Sequence, residues 1–278
     1  MVRIVTDSVA DLPSDIIQEL EITVIPLYVH FGNETYKDRM ELAGYDFYHR
    51  LESSLILPTT SAPSPGAFAK VFDELATKHT EIMGIFLARK LSATYDAAVQ
   101  GVKLMKRKCQ VELVDSTLAV MGQGLLVMEV AKKALAGASL DELASIISRS
   151  IPRIYVRVTL DTLKYLARGG RIGKAQAMLG SMLNINPILG IKNGEVFPST
   201  MTRSRAKAVD WLYGFAAKFH KVKALAVEYG NNVAEAKALA KRLTSIFPQV
   251  PLYLSNVSPV IGTHAGPNVL AITILEED

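Results

Sequence analysis

The chain has 278 residues and a formal net charge of +4, with 49% hydrophobic and 21% charged residues. This composition excludes a disordered chain and favours roughly two domains of about 100–200 residues each. Cys109 is the only cysteine, which excludes an internal disulfide and favours a reducing, cytoplasmic compartment. The first residues run directly into a predicted strand, and charged residues interrupt the most apolar window, so we expect neither a secretory signal nor a membrane span.

The charge is unevenly divided along the chain. Residues 1–150 carry 15 basic and 19 acidic side chains, whereas residues 151–278 carry 16 and 8. A basic half is typical of a docking surface for an acidic or phosphate-bearing partner, and also of nucleic-acid binding. Aromatic residues make up only 7% and are not interleaved with the basic ones, which argues against a nucleic-acid surface.

In the first half, short apolar runs alternate with helical spacings. Predicted strands are Val2–Thr6, Ile22–Phe31, Ile82–Ala88 and Val111–Asp115, and predicted helices are Ser14–Leu20, Pro65–Lys78, Ala93–Lys106 and Leu118–Ala138. Ser64 before Pro65 is a helix start signal, and Ser92 can start the next helix in the same way. This rhythm predicts an α/β fold with a mostly parallel sheet and helices on both faces, spanning residues 1–150.

The second half predicts an α+β domain with a mixed or antiparallel sheet, spanning residues 151–278. Predicted strands are Ile154–Leu160, Pro187–Lys192, Val196–Thr200, Val222–Tyr229, Pro251–Ser255 and Val269–Leu275, and predicted helices are Arg203–Phe219 and Val233–Phe247. Asn193-Gly194 between two strand runs is a strong hairpin signal. We place the boundary between the halves near Leu140–Ile151.

Three separated turns carry hydroxyl or imidazole side chains where a predicted strand gives way to a helix start or a glycine turn. They are Thr59–Gly66, Leu91–Tyr95 and Gly262–Pro267. Side-chain hydroxyls and free backbone N–H groups point outward together at such places, and there they can hold an anion. Helix capping by Ser64 or Ser92, and a solvated loop for His264, are the alternatives for each residue alone. Thr6–Ser8 also falls at the carboxyl edge of the parallel sheet, where ligands bind in such folds.

The motifs of several enzyme classes are missing from the sequence. It contains no Gly-x-Ser-x-Gly string and no phosphate-binding loop ending in Gly-Lys-Ser or Gly-Lys-Thr. The acidic residues and His264 do not follow a metal-ligand spacing, so we expect no metal and no cofactor. The pattern therefore favours holding a carboxylate or phosphate over breaking a bond.

A second concentrated signal is the basic, glycine-rich segment Arg168–Lys174. It is either a helix stop followed by a solvated loop, or a pair of arginines that grip phosphate or the acidic edge of a partner. Arg203 and Arg205 could add to such a surface.

These strings in this order resemble the DegV family of bacterial fatty-acid-binding proteins over essentially the whole chain. The matching strings are Thr6–Ser8 with Asp11–Pro13, Thr60–Ser64, Leu91–Tyr95, Tyr165-Leu166 with Gly169–Gly173, and Gly262–Pro267. The resemblance implies a two-domain carrier without catalysis of its own, which holds one long-chain fatty acid, such as palmitate, between its domains. In some members of the family, a separate fatty-acid kinase phosphorylates the presented carboxylate for phospholipid synthesis, and the resemblance implies such a partner here.

Carried over by position, the resemblance implies that Thr60 and Ser92 bind the carboxylate and that Ser61 and His264 complete the polar end. Arg171, with Arg203 or Arg205, would serve kinase docking or phosphate transfer. The family often has glycine where Ala93 and Asn268 stand, which loosens the expected carboxylate geometry. An enzyme acting on a phosphorylated small molecule and a nucleic-acid-binding regulator are the alternative hypotheses.

Overall fold

A computed structural model of the protein describes residues 1–42, 44–179 and 185–278. In the first half the strands are β1 (Arg3–Asp7), β2 (Thr23–Ile25), β3 (Tyr28–Phe31), β4 (Glu34–Lys37), β5 (Thr59–Ser61), β6 (Glu81–Phe86) and β7 (Gln110–Asp115). The helices there are α1 (Ser14–Glu19), α2 (Gly44–Ser53), α3 (Pro65–Leu75), α4 (Thr94–Lys103), α5 (Val120–Leu135) and α6 (Leu140–Ser150).

The second half supplies the remaining elements. Its strands are β8 (Ile154–Thr159), β9 (Asn186–Lys192), β10 (Glu195–Thr202), β11 (Val222–Tyr229), β12 (Leu252–Asn256) and β13 (Leu270–Glu276). Its helices are α7 (Lys164–Arg168), α8 (Arg205–Ala216), α9 (Val233–Ile246) and α10 (Pro259–Ala265), and a 3-10 turn covers Gly173–Met178.

The first half contains the predicted parallel sheet, with strand order β2-β1-β6-β7. The predicted strand Ile22–Phe31 is wrong as a single element, because the chain leaves this sheet at Pro26. Proline lacks an N–H group for the ladder, so the run splits into β2 and β3. The second piece joins a separate antiparallel sheet of order β4-β3-β5, which sequence reasoning missed.

The second half forms the predicted mixed sheet, with strand order β10-β9-β8-β13-β11-β12. β11 pairs in parallel with β12, and the other neighbours pair antiparallel. The hairpin prediction is confirmed, since Asn193 and Gly194 both have positive φ between β9 and β10. The fold class predicted from the sequence is therefore confirmed for both halves.

Helix α5 lies between the two sheets and contacts both of them. Its residues Leu125 to Val130 are all buried, including Glu129, which pairs with Lys223. Gly122 allows the close approach to the mixed sheet, because an added Cβ would lie 2.6 Å from Val156 Cγ2. The same apolar cluster includes Leu143 of α6 and Ala226 of β11. The core thus runs across residue 150, and the division of the chain into two domains there stays a prediction.

A buried carboxylate from the second half caps α5 of the first half. Ala119 precedes the helix and offers no capping side chain, whereas Glu228 Oε1 on β11 accepts a hydrogen bond from Met121 N at 2.8 Å. Thr273 Oγ1 donates to the other carboxylate oxygen at 3.3 Å. Burial removes the hydration of the charged form and raises the pKa of Glu228 from 4.5 to about 8.

No helix within the described ranges is long and apolar enough to cross a lipid bilayer.

Glu228 predicts a stability that falls as the pH rises. Since its folded pKa lies above the unfolded value, its contribution is complete below about pH 4.5 and is lost as the pH passes about 8. Urea unfolding should give a lower free energy at about pH 9 than at about pH 6, and Glu228→Gln should remove on the order of 2 kcal/mol of that fall. The glutamine can still accept from Met121 N. Glu142→Gln, an exposed cap whose pKa is lowered by Ser139, is the control and should leave the slope unchanged. An unchanged slope in Glu228→Gln would contradict this assignment.

Candidate functional site

A cavity of about 190 Å³ lies between the two halves of the chain. Its walls come from β8, β9 and β13 of the mixed sheet, from the loops after β6 and β7, and from α10. The apolar lining residues are Leu27, Ala62, Leu87, Leu91, Ala93, Ala119, Val120, Val156, Val158, Leu160, Leu166, Leu189, Ile191, Val196, Val257, Val260, Ile261, Ala265, Val269 and Ala271. The mostly apolar surroundings of the cavity favour an apolar occupant.

Five side chains predicted from the sequence line this same cavity: Thr60, Ser61, Ser92, Arg171 and His264. They come from four segments that are far apart in the chain, namely β5, the loop before α4, the loop after α7, and α10. The cavity therefore combines a polar cluster with an apolar wall.

Strand pairing fixes the hydroxyls of Thr60 and Ser61. The prediction that they occupy a turn is wrong, because both residues belong to β5, where Thr60 pairs with Val29 of β3. Thr60 is half-buried, whereas Ser61 is exposed and its Oγ lies 2.8 Å from His30 Nε2. Alternation along a strand explains why neighbouring residues differ in this way. The Ser64 cap on α3 is confirmed, since its Oγ accepts from Ala67 N at 3.2 Å.

Ser92 stands one residue too early to cap α4. Ala93 occupies the cap position, without a side-chain bond, and the helix begins at Thr94. Ser92 Oγ instead accepts from Thr94 N at 3.3 Å and lies 2.9 Å from Thr94 Oγ1, in a local hydroxyl turn. Its prediction as a helix cap is therefore wrong, but the turn holds its hydroxyl on the cavity wall.

His264 lies in a helix, and the predicted glycine-built loop is wrong. The signal was present in the sequence, because Ser258-Pro259 repeats the serine–proline start seen at α3. Gly262 sits inside this helix, and an added Cβ there would lie 2.6 Å from Phe47 Cε1 of α2. Gly266 ends the helix with φ 85°. Packing against α2 thus turns a glycine-rich segment into a short helix.

Thr60 and His264 form a hydrogen bond across the site, with Thr60 Oγ1 2.9 Å from His264 Nε2. Burial, and then the charge of Arg171, lower the pKa of His264 from 6.5 to about 4, so the ring is neutral at pH 7. Its Nδ1 is buried without a hydrogen-bond partner among the described residues. We therefore assign the single proton to Nε2, which donates to Thr60 Oγ1. The Thr60 hydroxyl is then free to donate its own proton to a group in the cavity.

Arg171 is held by main-chain carbonyls at the same end of the cavity. Its Nε donates to Leu91 O at 3.1 Å, and its Nη1 donates to Gly169 O at 2.6 Å. The first bond ties the loop after α7 to the residue before Ser92. Arg171 thus connects the halves and adds positive charge beside the hydroxyls.

A second depression of about 190 Å³ shares Thr60, Arg171 and His264 with the cavity. The other residues that line it are Leu57, Pro58, Thr59, Tyr165, Arg168, Gly169 and Thr263. Arg168 is exposed there. We refer to this second space as the outer depression. The same three polar side chains therefore line both the cavity and the outer depression.

Two further predicted arginines lie elsewhere on the surface. Arg203 is exposed, and Arg205 forms a 2.6 Å ion pair with Glu235 and a 3.6 Å pair with Asp161. Neither residue lines the cavity or the outer depression.

The acidic edge predicted at Thr6–Ser8 lies outside this cavity. Asp7 is fully buried, and its carboxylate accepts hydrogen bonds from Val9 N at 3.0 Å and Leu87 N at 2.8 Å. It therefore fixes the loop that leads from β6 towards Ser92.

Across the described parts of the chain, no group of three or more His, Cys, Asp or Glu side chains could hold a metal ion.

The two positions where the family often has glycine adopt ordinary backbone. Ala93 has φ −74°, and Asn268 is not among the residues with positive φ. Asn268 Nδ2 donates to Asp161 Oδ2 at 2.6 Å. Neither position needs the left-handed freedom of glycine in this chain.

Gly169 is a residue of the site that sequence reasoning missed. An added Cβ would lie 2.1 Å from His264 Nδ1, so only glycine leaves room for the imidazole. The sequence offered a helix stop at this glycine pair as one alternative, and α7 does end at Arg168. Sequence reasoning missed that the close approach of α7 and α10 requires the first glycine.

Gly169→Ala should displace His264 and break its bond to Thr60. We expect the pKa of His264 to rise from about 4 towards its ordinary value as the ring loses burial, and stability to fall by about 1–3 kcal/mol from overpacking. NMR titration of labelled imidazoles measures the first effect, and urea unfolding measures the second. Gly214→Ala, where an added Cβ meets nothing within 4 Å, is the matched control. An unmoved pKa in Gly169→Ala would contradict this account.

Comparison with known proteins identifies the family. The sequence model of the DegV family, described as uncharacterised proteins, matches residues 1–277. A DegV domain-containing protein of Caldanaerobacter subterraneus is 32% identical over 279 residues, covering 99% of both chains. Protein DegV of Bacillus subtilis is 32% identical over 276 residues, covering 98% of both chains.

Solved structures agree over the same length. The structure of DegV from Bacillus subtilis, described as a fatty acid binding protein, has a TM-score of 0.91 at 30% identity and covers 99% of both chains. A DegV family protein from Thermus thermophilus, also described by its fatty acid binding, has a TM-score of 0.90 at 29% identity with the same coverage. With a family model that matches nearly every residue, this chain belongs to the DegV family.

Proposed function

We propose that this protein binds one long-chain fatty acid in the cavity between its halves and presents the carboxylate to a partner kinase. The observation that carries the proposal is the cluster of Thr60, Ser92 and His264 at an otherwise apolar cavity. The fatty acid binding described for the relatives from Bacillus subtilis and Thermus thermophilus supports the same conclusion.

The polar end suits a carboxylate because it offers donors. Thr60 and Ser92 would donate their hydroxyl protons to the carboxylate oxygens. His264 would complete the polar end, and Ser61 would have to turn its hydroxyl away from His30 to join it. An ionised carboxylate in an apolar slot is costly unless several donors replace its water. The neutral His264 orients the Thr60 hydroxyl, and Arg171 supplies the compensating positive charge nearby.

The apolar wall suits the tail. Burial of each methylene is worth about 0.8 kcal/mol, so a chain of roughly fourteen methylenes gains on the order of 11 kcal/mol before ordering and association costs. That gain is ample for tight retention, and we expect the protein to leave cells already loaded.

Native lipid content tests the carrier function. Organic extraction of the purified protein followed by mass spectrometry should find about one fatty acid per chain. Thr60→Ala combined with Ser92→Ala should lower this load at least about tenfold, because two charge-assisted hydrogen bonds are lost, and should leave the fold intact.

Thr244→Ala combined with Ser245→Ala is the matched control. These two neighbouring hydroxyls bond only to carbonyls of their own helix and lie on the surface. The control pair should keep the full lipid load. An empty wild-type cavity would refute the carrier function, and a full load in the Thr60, Ser92 double variant would refute the head-group assignment.

The outer depression supports presentation to a kinase. Because it shares Thr60, Arg171 and His264 with the cavity, a carboxylate held there could be approached from outside while the tail stays buried. Arg168 at its rim and Arg171 at its base supply positive charge for an incoming phosphoryl group. Exposed Arg203 could serve as a further docking residue, and Arg205 would need to leave its ion pair with Glu235 to do so.

Arg168→Glu should separate presentation from binding. With a fatty-acid kinase from the same organism, ATP and loaded protein, we expect acyl phosphate, trapped with hydroxylamine, to form at least about tenfold more slowly because the rim charge is reversed. The lipid load should stay unchanged. Arg149→Glu, an exposed arginine at the end of α6, is the control and should keep the wild-type rate. Equal rates for both variants would contradict a role for the outer depression.

A further inference from the structure

We propose that Asp38, assisted by Asp11, is a positioning residue of the head-group site: it caps helix α10 across the interface and so fixes His264 against Thr60. This inference rests on the proposed function only in taking that site as the head-group site.

Helix α10 lacks a cap of its own. Ser258 occupies the cap position without a side-chain bond to the helix, and Pro259 at the first helical position has no N–H group. The N–H of Val260, the second helical residue, donates to Asp38 Oδ1 at 3.2 Å. A cap side chain normally accepts from this position, so Asp38 performs the missing function from the loop after β4.

Asp38 is itself held rigidly inside the protein. It is 1% exposed, and its Oδ2 accepts a 2.6 Å hydrogen bond from Ser8 Oγ. Ser8 Oγ in turn accepts from Leu27 N at 3.1 Å, and Asp38 N donates to Leu27 O at 2.9 Å. The cap therefore has a fixed connection to the end of β1.

Asp11 secures the residue before the helix. Its Oδ1 accepts from Ser258 N at 3.1 Å and from Arg39 Nη1 at 3.2 Å. Arg39 Nη1 also donates to Asn256 O at 3.3 Å. Two carboxylates from loops of the first half thus hold the start of a helix that belongs to the second half.

The helix is short enough for its start to control its end. Val260 and His264 are four residues apart, about one turn or roughly 6 Å along the axis. A displacement at Val260 N can therefore reach the imidazole within a single helical turn. Tyr48 OH, which donates to Val257 O at 3.0 Å, fixes the approach to the helix and not its end.

The first test needs no ligand. In lipid-free, full-length protein, Asp38→Ala should move the pKa of His264 upward from about 4 towards its ordinary value, measured by NMR of labelled imidazoles, because the ring loses burial. Glu129→Gln is the control, since this buried side chain bonds to Ser150 and Lys223, neither of which belongs to α10 or to its caps, and it should leave the pKa of His264 unmoved. An unmoved pKa in Asp38→Ala overturns the proposal.

The second test is a double-mutant cycle on the release of radiolabelled palmitate. Asp38→Ala should speed release about five- to tenfold when His264 is present, and less than about twofold in a His264→Gln background, because its effect passes through His264. Equal acceleration in both backgrounds indicates a merely structural role and overturns the proposal.

A conservative variant covers a folding failure of Asp38→Ala. Asp38→Asn keeps one oxygen that can accept from Val260 N but loses the second oxygen, which accepts from Ser8 Oγ and holds the cap in place. It should therefore give intermediate changes in both measurements, and no change in either overturns the proposal. A protein that binds no palmitate but whose His264 responds to Asp38 would refute the proposed function and support the positioning role.

Discussion

Buried acidic side chains bind the starts of helices across the interface between the two halves. Glu228 of the mixed sheet accepts from the first turn of α5, while Asp11 and Asp38 of the first half accept from the start of α10. Glu228 and Asp38 replace missing local caps, and Asp11 holds the residue before α10. Each of these buried groups is costly to leave without its hydrogen-bond partner. The two halves therefore depend on each other for satisfied helix ends as well as for apolar contact.

Residues of both capped helices line the cavity. Val120 opens α5 on the cavity wall with φ 54°, an unfavourable conformation for a β-branched residue, and Glu228 holds the next residue in place. His264 ends α10 at the polar end. The hydrogen bonds that join the halves thus also position Val120 and His264 in the cavity lining, so a substitution at the interface is expected to alter the cavity.

The polar end of the cavity combines the neutral side chains of Thr60 and His264 with the charge of Arg171. Arg171 donates to two main-chain carbonyls, which fix the position of its positive charge. Burial and this charge keep His264 neutral. A neutral imidazole can donate to the Thr60 hydroxyl and so orient it. An imidazolium could donate as well, but burying its charge would cost more free energy of desolvation. Thr60, Arg171 and His264 also line the outer depression, so the same three side chains separate the cavity from this second space.

Local patterns in the sequence determined the strand and helix types, the hairpin at Asn193-Gly194 and the Ser64 cap, since each depends on neighbours within a few residues. The same patterns brought Thr60, Ser61, Ser92, Arg171 and His264 forward as candidates, because hydroxyl, imidazole and guanidinium groups in glycine-rich segments are unusual. Only the tertiary structure decided that Ile22–Phe31 splits between two sheets, that Ser92 turns locally without capping α4, and that the segment around His264 is helical. For α10, the partners that hold the start of the helix are Asp11 and Asp38, which lie more than a hundred residues away in the chain. Periodicity cannot encode such partners, because they become neighbours only when the two halves pack together.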